Sequence, residues 1–331
     1  TAWHIIFDPS PKHKVEAIAW GRPAKGSITM SDQEFNPVAG HPVHLADGLR
    51  LILAPNPSPM TYQGTNTYLL GHKSIAVIDP GPDNDEHLAA IHAAAGDGDI
   101  SYIIVTHAHL DHSPLARRLS TQTGAPIYGY GPAVAGRSAI MQRLAGQGLA
   151  GGGEGIDVDF GPDVVIASGD CVITDEWTLE ALHTPGHIGN HLCLIWGDTV
   201  FTGDHVMGWA SSLVSPPDGD LTDFMSSCEK LARIDARIYF PGHGAPVTNP
   251  KERIAWLIAH RRRRETQILG TLTSVGQTVD QITLAVYKDV SPALIPAAKR
   301  NVFAHLVDLQ QRGQITAHPD LQSDAVFTAK N

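Results

Sequence analysis

The segment Thr106-His107-Ala108-His109-Leu110-Asp111-His112 constrains this chain more than any other. It sets three imidazoles and a carboxylate within six residues, directly after the apolar run Tyr102-Ile103-Ile104-Val105. That run reads as a short buried strand, so the cluster falls where a strand gives way to a loop. Residues two apart on an extended chain project to one side, which lets His107 and His109 bind the same ion. The turn that follows swings Asp111 and His112 toward a second ion. Imidazole nitrogen and carboxylate oxygen suit zinc, and three protein ligands per ion leave a position for water. The competing reading is a polar loop that is merely rich in histidine, in a chain that has 18 of them.

Three downstream segments favour the metal reading, each at a turn after an apolar stretch. Thr184-Pro185-Gly186-His187 follows Leu179–His183 and offers His187 beside His107 and His109. Phe201-Thr202-Gly203-Asp204-His205 follows Cys193–Trp196, and Asp204 has two oxygens with which to bridge two ions. Phe240-Pro241-Gly242-His243-Gly244 follows Ile238-Tyr239 and supplies His243 to join Asp111 and His112. A glycine lies beside or near each ligand, where backbone can bend sharply around a cation.

The order HxHxDH, PGH, GDH, PGHG resembles the metallo-beta-lactamase-fold hydrolases. The resemblance implies that His107, His109 and His187 hold one metal, that Asp111, His112 and His243 hold the other, and that Asp204 bridges them. The segments Gln63–Gly71 and His260–Leu269 resemble the branch containing the mitochondrial beta-lactamase-like endoribonuclease and its bacterial relatives. The likeness spans about residues 45–331 and speaks strongly to the metal site and weakly to substrate, since one fold hosts many hydrolases. Beta-lactamases proper lack the bridging aspartate, so antibiotic hydrolysis is not the expected task.

The chain has 331 residues, 42% apolar and 18% charged, as expected of a soluble globular protein with one large and one small unit. No run of eighteen apolar residues is present, so no membrane span is expected. No secretory signal is visible, although the sequence starts on Thr1 and not methionine, and a cytoplasmic location is expected. Cys171, Cys193 and Cys228 form no CxxC pair and read as free thiols. The net charge of −10 gives no general attraction to nucleic acid or anionic membrane.

The pattern along the chain predicts an α+β protein. Residues 1–250 form an αββα sandwich preceded by an arm over 1–45, and residues 251–331 form a linking helix and a winged-helix-like unit. Short apolar runs from Leu49 to Asp79 read as antiparallel strands, and Glu86–Ala95 as a helix before the Tyr102–Val105 strand. The glycine-rich segment Leu144–Gly155 reads either as a flap over substrate or as a plain surface insertion. Lys251–Leu269 reads as one helix. Thr278 and Gln281 make a capping box for a second helix whose stripe is Ile282, Ala285 and Val286. Ser291-Pro292 opens a third helical region, with Val302, Phe303, Leu306 and Leu309 inward until Gly313, and Gln314–Phe327 reads as a hairpin.

Such a unit invites a DNA-binding reading, with Lys299, Arg300 and Asn301 at the front of the recognition helix. The acidic balance argues against it, and we expect the unit to shape the rim of the site instead. The four arginines Arg261–Arg264 point around most of a helix, so most are expected on its solvated faces or paired with acids such as Glu265, and the resemblance implies an active-site role for at least one. Asp79, before Pro80-Gly81, reads either as a partner fixing a metal-bound imidazole or as a turn former. His183, His191 and His205 are expected to pack or hydrogen-bond.

These readings converge on a two-metal hydrolase. Two divalent ions per chain, zinc first with iron or manganese as alternatives, would hold a hydroxide between them, which Asp111 would orient for attack. A small ester or thioester is the expected substrate. The alternatives are a single-strand endoribonuclease, on the branch resemblance and the arginine run, and a winged-helix nucleic-acid-binding regulator. RNA thus stays open as a partner, DNA and membrane are not expected, and oligomeric state is left open.

Overall fold

In the computed structural model, residues 35–153, 155–272 and 275–330 are described; most of the expected N-terminal arm, residues 1–34, lies outside them. The first sheet begins with β1 (Val43–Ala46), β2 (Leu49–Leu53), β3 (Asn66–Leu70) and β4 (Ser74–Ile78), paired antiparallel in sequence order. It continues in parallel through β5 (Asp99–Ile104), β6 (Ile127–Gly129) and β7 (Val164–Val165), with helices α1 (Asp85–Ala95), α2 (Leu115–Thr123) and α3 (Ala139–Gly146) in the connections. A second sheet runs β8 (Cys171–Ile173), β9 (Thr178–His183), β10 (Leu192–Trp196), β11 (Thr199–Gly203) and β12 (Ile238–Pro241), with α4 (Leu221–Leu231) between the last two.

Alternation along these strands produces the layers. Tyr68, Leu70, Ile78 and Ile104 meet Leu179, Ala181, Leu192, Leu194 and Phe201 in a core between the two sheets. Their neighbours Leu69, Val77 and Ile103 face the other way and pack under Leu88 and Ile91 of α1 and Leu115 and Leu119 of α2. On the far side, Cys193, Val200 and Tyr239 pack against Phe224 and Cys228 of α4 and against Ile254 and Leu257. Period-two strands with both faces apolar require a helix layer outside each sheet, and this is the αββα sandwich.

The chain continues through α5 (Pro250–Thr271), β13 (Gln277–Thr278), α6 (Val279–Val286), a 3-10 turn at Pro292–Leu294, α7 (Ile295–Gln311), β14 (Ile315–His318) and β15 (Val326–Ala329). The capping box at Thr278 and Gln281 forms as expected. The stripe of α6 differs from the sequence reading: Ile282 and Thr283 are buried, whereas Ala285 is exposed. Thr283 is accommodated because its hydroxyl donates to the Val279 carbonyl at 2.7 Å. Met141 and Leu144 of α3 also enter this core, packing with Ile268, Val302 and Leu306. No helix among the described residues is long and apolar enough to cross a membrane.

Candidate metal centre

All seven residues singled out in the sequence come together at one edge of the sandwich, and all are buried. The strand ends explain this. β5 delivers the His107–His112 loop, β9 the His187 turn, β11 Asp204, and β12 His243. The apolar stretch before Asp204 is a hairpin of two strands, β10 and β11, turning at Gly197-Asp198. Gly242 lets the loops close up: a Cβ there would lie 2.4 Å from Asp204 Oδ1 and 2.7 Å from His112 Cε1.

Two groups of ligand atoms result. His109 Nδ1 lies 3.0 Å from both His107 Nε2 and His187 Nε2. A tetrahedral ion with bonds of about 2.0–2.1 Å sets its ligands roughly 3.3 Å apart, close to this spacing. In the other group, Asp111 Oδ2 is 3.3 Å from His112 Nε2 and 3.1 Å from His243 Nε2. Asp204 reaches both groups, with Oδ2 3.3 Å from His243 Nε2 and 3.6 Å from His187 Nε2, and Oδ1 3.4 Å from His112 Nε2.

Four of the five opposite ring nitrogens have oxygen partners. His112 Nδ1 is 2.9 Å from Asp79 Oδ2, His243 Nδ1 is 3.0 Å from the Gly64 carbonyl, and His187 Nδ1 is 2.7 Å from the Leu213 carbonyl. His107 Nδ1 lies 2.9 Å from Thr106 Oγ1, which donates to Asp79 Oδ2 at 2.7 Å. Asp79, at φ 51°, is therefore both the turn residue and the partner of an imidazole, so the two readings of it were not exclusive. Asp79, His107 and His112 also lie within 4.8 Å of one another. That grouping makes a poor third cation site, because Asp79 Oδ2 already accepts two hydrogen bonds and Oδ1 takes the Thr106 amide.

Electrostatics distinguish the groups. Burial, reinforced by neighbouring histidines, holds His107 well below its usual range and His109 at about 3. Burial also lowers His187, against the pull of Asp204. Such neutral imidazoles are ready to donate lone pairs. For His112 and His243 burial acts downward, but the carboxylates outweigh it; Asp111 leads in lifting His112 well above its range, and Asp204 leads in raising His243 to about 10. Burial would raise Asp111 and Asp204, yet His112 and His243 hold both below the carboxylate range. Two buried carboxylates thus require compensating positive charge, which protons on His112 and His243 or a cation can supply. Asp111 Oδ1 and Asp204 Oδ1 are buried with no hydrogen-bond partner among the described residues, and this donor set fits divalent ions.

The flanking histidines pack and hydrogen-bond as expected. His183 stacks on Tyr130 with centroids 3.6 Å apart, His191 Nε2 accepts from the Asp204 amide at 3.2 Å, and His205 lies 3.5 Å from Cys228 Sγ. The sequence reading missed the supporting roles within Gln63–Gly71. There Thr65 Oγ1 donates to Asp111 Oδ2 at 3.4 Å, and Asn66 Nδ2 donates to the carbonyls of Pro241 and Gly244, bracing the His243 loop.

A pocket opens onto the ligands. His109, Asp111, His187, Asp204 and His243 line one side; Met60, Met207 and Leu213 add apolar wall, and Gly152 and Gly153 of the glycine-rich segment form part of the rim. That segment is tied to the site, with Leu110 N donating to Gly155 O at 3.1 Å. Arg300 Nη1 of α7 donates to Ala150 O at 3.0 Å, and Asn301 Oδ1 accepts from the Val214 amide at 3.2 Å. Arg261 is the arginine that turns inward. It is buried, donates to Ser212 O and, at 3.0 Å, to Asn301 Oδ1, and so braces the loop whose Leu213 carbonyl holds His187.

Residues 60–243 match the family model of the metallo-beta-lactamase superfamily, and residues 278–323 match that of the beta-lactamase associated winged helix domain. The sequence is 31% identical over 282 residues to a beta-lactamase-like protein 2 homolog of Caenorhabditis elegans, covering 82% of this chain and 87% of that protein. It is 31% identical over 233 residues to an atrochrysone carboxyl ACP thioesterase of Aspergillus fumigatus, covering 68% of this chain and 64% of that protein. The crystal structure of a beta-lactamase domain protein from Burkholderia ambifaria superposes with a TM-score of 0.73 at 21% identity, covering 90% of this chain and 96% of that one.

Proposed function

This chain belongs to the metallo-beta-lactamase superfamily of hydrolases, and we propose that it cleaves a small ester or thioester using two divalent metal ions. His107, His109 and His187 would hold one ion, Asp111, His112 and His243 the other, and Asp204 would reach both. Such ions, zinc first, supply an acidified water and polarise the electrophile. The chain's own residues do the rest. Asp79 and the carbonyls of Gly64 and Leu213 fix the imidazoles, and Asp111, whose Oδ1 is unpartnered among the described residues, would accept a hydrogen bond from the attacking water.

The observation that carries the choice of substrate is the pocket lining, in which Met60, Met207 and Leu213 flank the ligands. An apolar wall beside a metal pair suits an acyl group better than a phosphodiester chain, which must be gathered by cations. The basic residues marked in the sequence are largely engaged within the chain. Arg261 and Arg300 bond to carbonyls, Arg264 lies 3.9 Å over the Tyr287 ring, and Lys299 pairs with Asp280 at 2.8 Å. The thioesterase named among the relatives points the same way. The inward turn of Arg300 and Asn301 argues against a DNA-reading role for α7.

A second reading, single-strand RNA cleavage, draws on the exposed side chains of Arg262 and Arg263 and on the exposed Trp256 of the same helix, which stacks on His260. Zinc-loaded protein assayed on thioesters, esters, lactones and single-stranded RNA separates the two. We expect thioester or ester hydrolysis that changes little from low to physiological salt and only modestly in an Arg262→Gln/Arg263→Gln protein. Efficient RNA cutting abolished by that double change and by salt would reverse the order.

A further inference from the structure

Asp218 stands in the pocket wall beside Ser215, on the loop between β11 and α4. Its side chain is only 4% exposed, and its Oδ1 accepts from the Arg137 guanidinium at 2.7 Å. Oδ2 is buried and has no hydrogen-bond partner among the described residues. The glycine-rich strap roofs this oxygen. A Cβ at Gly151 would come within 2.1 Å of Asp218 Oδ2, and one at Gly152 within 2.2 Å of Arg300 Nε. Arg300 Nη1 fastens the strap to the loop, donating to Ala150 O at 3.0 Å and to Ser215 Oγ at 3.1 Å. The metal cluster makes no use of this carboxylate.

An ionised carboxylate only accepts hydrogen bonds, and an oxygen buried without a donor carries a free-energy cost that an incoming donor would remove. An anionic group would be repelled there, and an apolar one would leave the cost unrelieved. We propose that Asp218 is a specificity-determining residue whose Oδ2 accepts a hydrogen bond from a hydroxyl or amide N–H of the substrate, entering beneath the Gly151–Gly152 strap. The inference rests on the ester or thioester reading for turnover, but not for binding. Burial pushes the Asp218 carboxyl up, with Arg137 opposing, so the test is run at pH 8 where the group is an acceptor.

The probes are N-acetylcysteamine thioesters of 2-, 3- and 4-hydroxybenzoic acid, their methoxy counterparts, and the N-methyl form of each leaving group. A methoxy or N-methyl group cannot donate, so each pair isolates one donor. The zinc-loaded wild type should favour the donor-bearing member of at least one pair by about tenfold or more in kcat/KM, the scale of a hydrogen bond to a charged group. Asp218→Asn should bring that ratio to about one, while Arg137→Gln, which removes the same ion pair but leaves the carboxylate, should keep the preference. A wild type without preference at any position overturns the inference with no variant needed, as does a ratio unchanged by Asp218→Asn or equally lost in Arg137→Gln. If the wild type cleaves none of the probes, the thioester reading falls by itself. Binding of hydroxybenzoates against methoxybenzoates to the zinc-loaded protein then decides Asp218: tighter hydroxybenzoate binding in the wild type, lost in Asp218→Asn, upholds it, and equal or absent binding overturns it.

Discussion

Replacing Asp79 with Asn probes how one carboxylate serves two ion groups. Asp79 Oδ2 lies 2.9 Å from His112 Nδ1 and accepts from Thr106 Oγ1 at 2.7 Å, and that hydroxyl is 2.9 Å from His107 Nδ1. One oxygen therefore orients His112 directly and His107 through a hydroxyl. Asn suits the test because it tolerates the φ of 51° that Asp79 adopts, whereas Ala would add backbone strain. It keeps one acceptor oxygen, removes the charge, and sets an NH2 group against either the Thr106 amide or the His112 N–H. Groups that orient metal-bound histidines typically contribute 10–100-fold in affinity, about 1.4–2.7 kcal/mol. We expect a loss of that size for the ion at His112 and a smaller one for the ion at His107. Thr106→Val should weaken the His107 ion and spare the other. Competition with a chromophoric chelator during zinc titration resolves the two steps. An Asp79→Asn protein with both affinities unchanged, or one that loses only the His107 ion, would refute the reasoning.

Asp111→Asn preserves shape but removes the charge facing His112 and His243; turnover should fall at least ~100-fold while the group of His107, His109 and His187 stays largely filled. Near-normal turnover, measured beside zinc content, would remove Asp111 from the mechanism. Burial holds His87, 2.8 Å from Thr67 Oγ1, at about 4, below the ordinary value of about 6.5. The folded protein thus binds this proton more weakly than the unfolded chain, so the contribution is fully present above pH ~6.5 and is lost as pH falls toward 4, to the extent of roughly 3 kcal/mol. Urea unfolding of metal-free protein should show that His87→Gln flattens the loss across this window, and parallel profiles would count against it.

The candidate ligands were legible because each is a titratable side chain that follows a strand end, with glycine beside His187, Asp204 and His243. The C-terminal unit was legible because capping, stripe and stop signals recur at helical spacing from Thr278 to Gly313. What escaped were groups without a side-chain signature. The carbonyls of Gly64 and Leu213 that fix His243 and His187 could not be read from residue type. Long-range pairings were equally hidden: Arg137 meets Asp218 across 81 positions, and which of four consecutive arginines turns inward depends on how α5 packs against α7. Ala285 was misplaced because Thr283 buries its hydroxyl against its own helix and takes the inward position.

The central claim, seven residues holding two ions with Asp204 shared, is tested most directly by elemental analysis of chelator-free protein reloaded with zinc and cleared of excess. The account predicts two ions per wild-type chain, with affinity and turnover both diminished in Asp204→Ala. At most one ion in the wild type, or two retained at full affinity without Asp204, would contradict it.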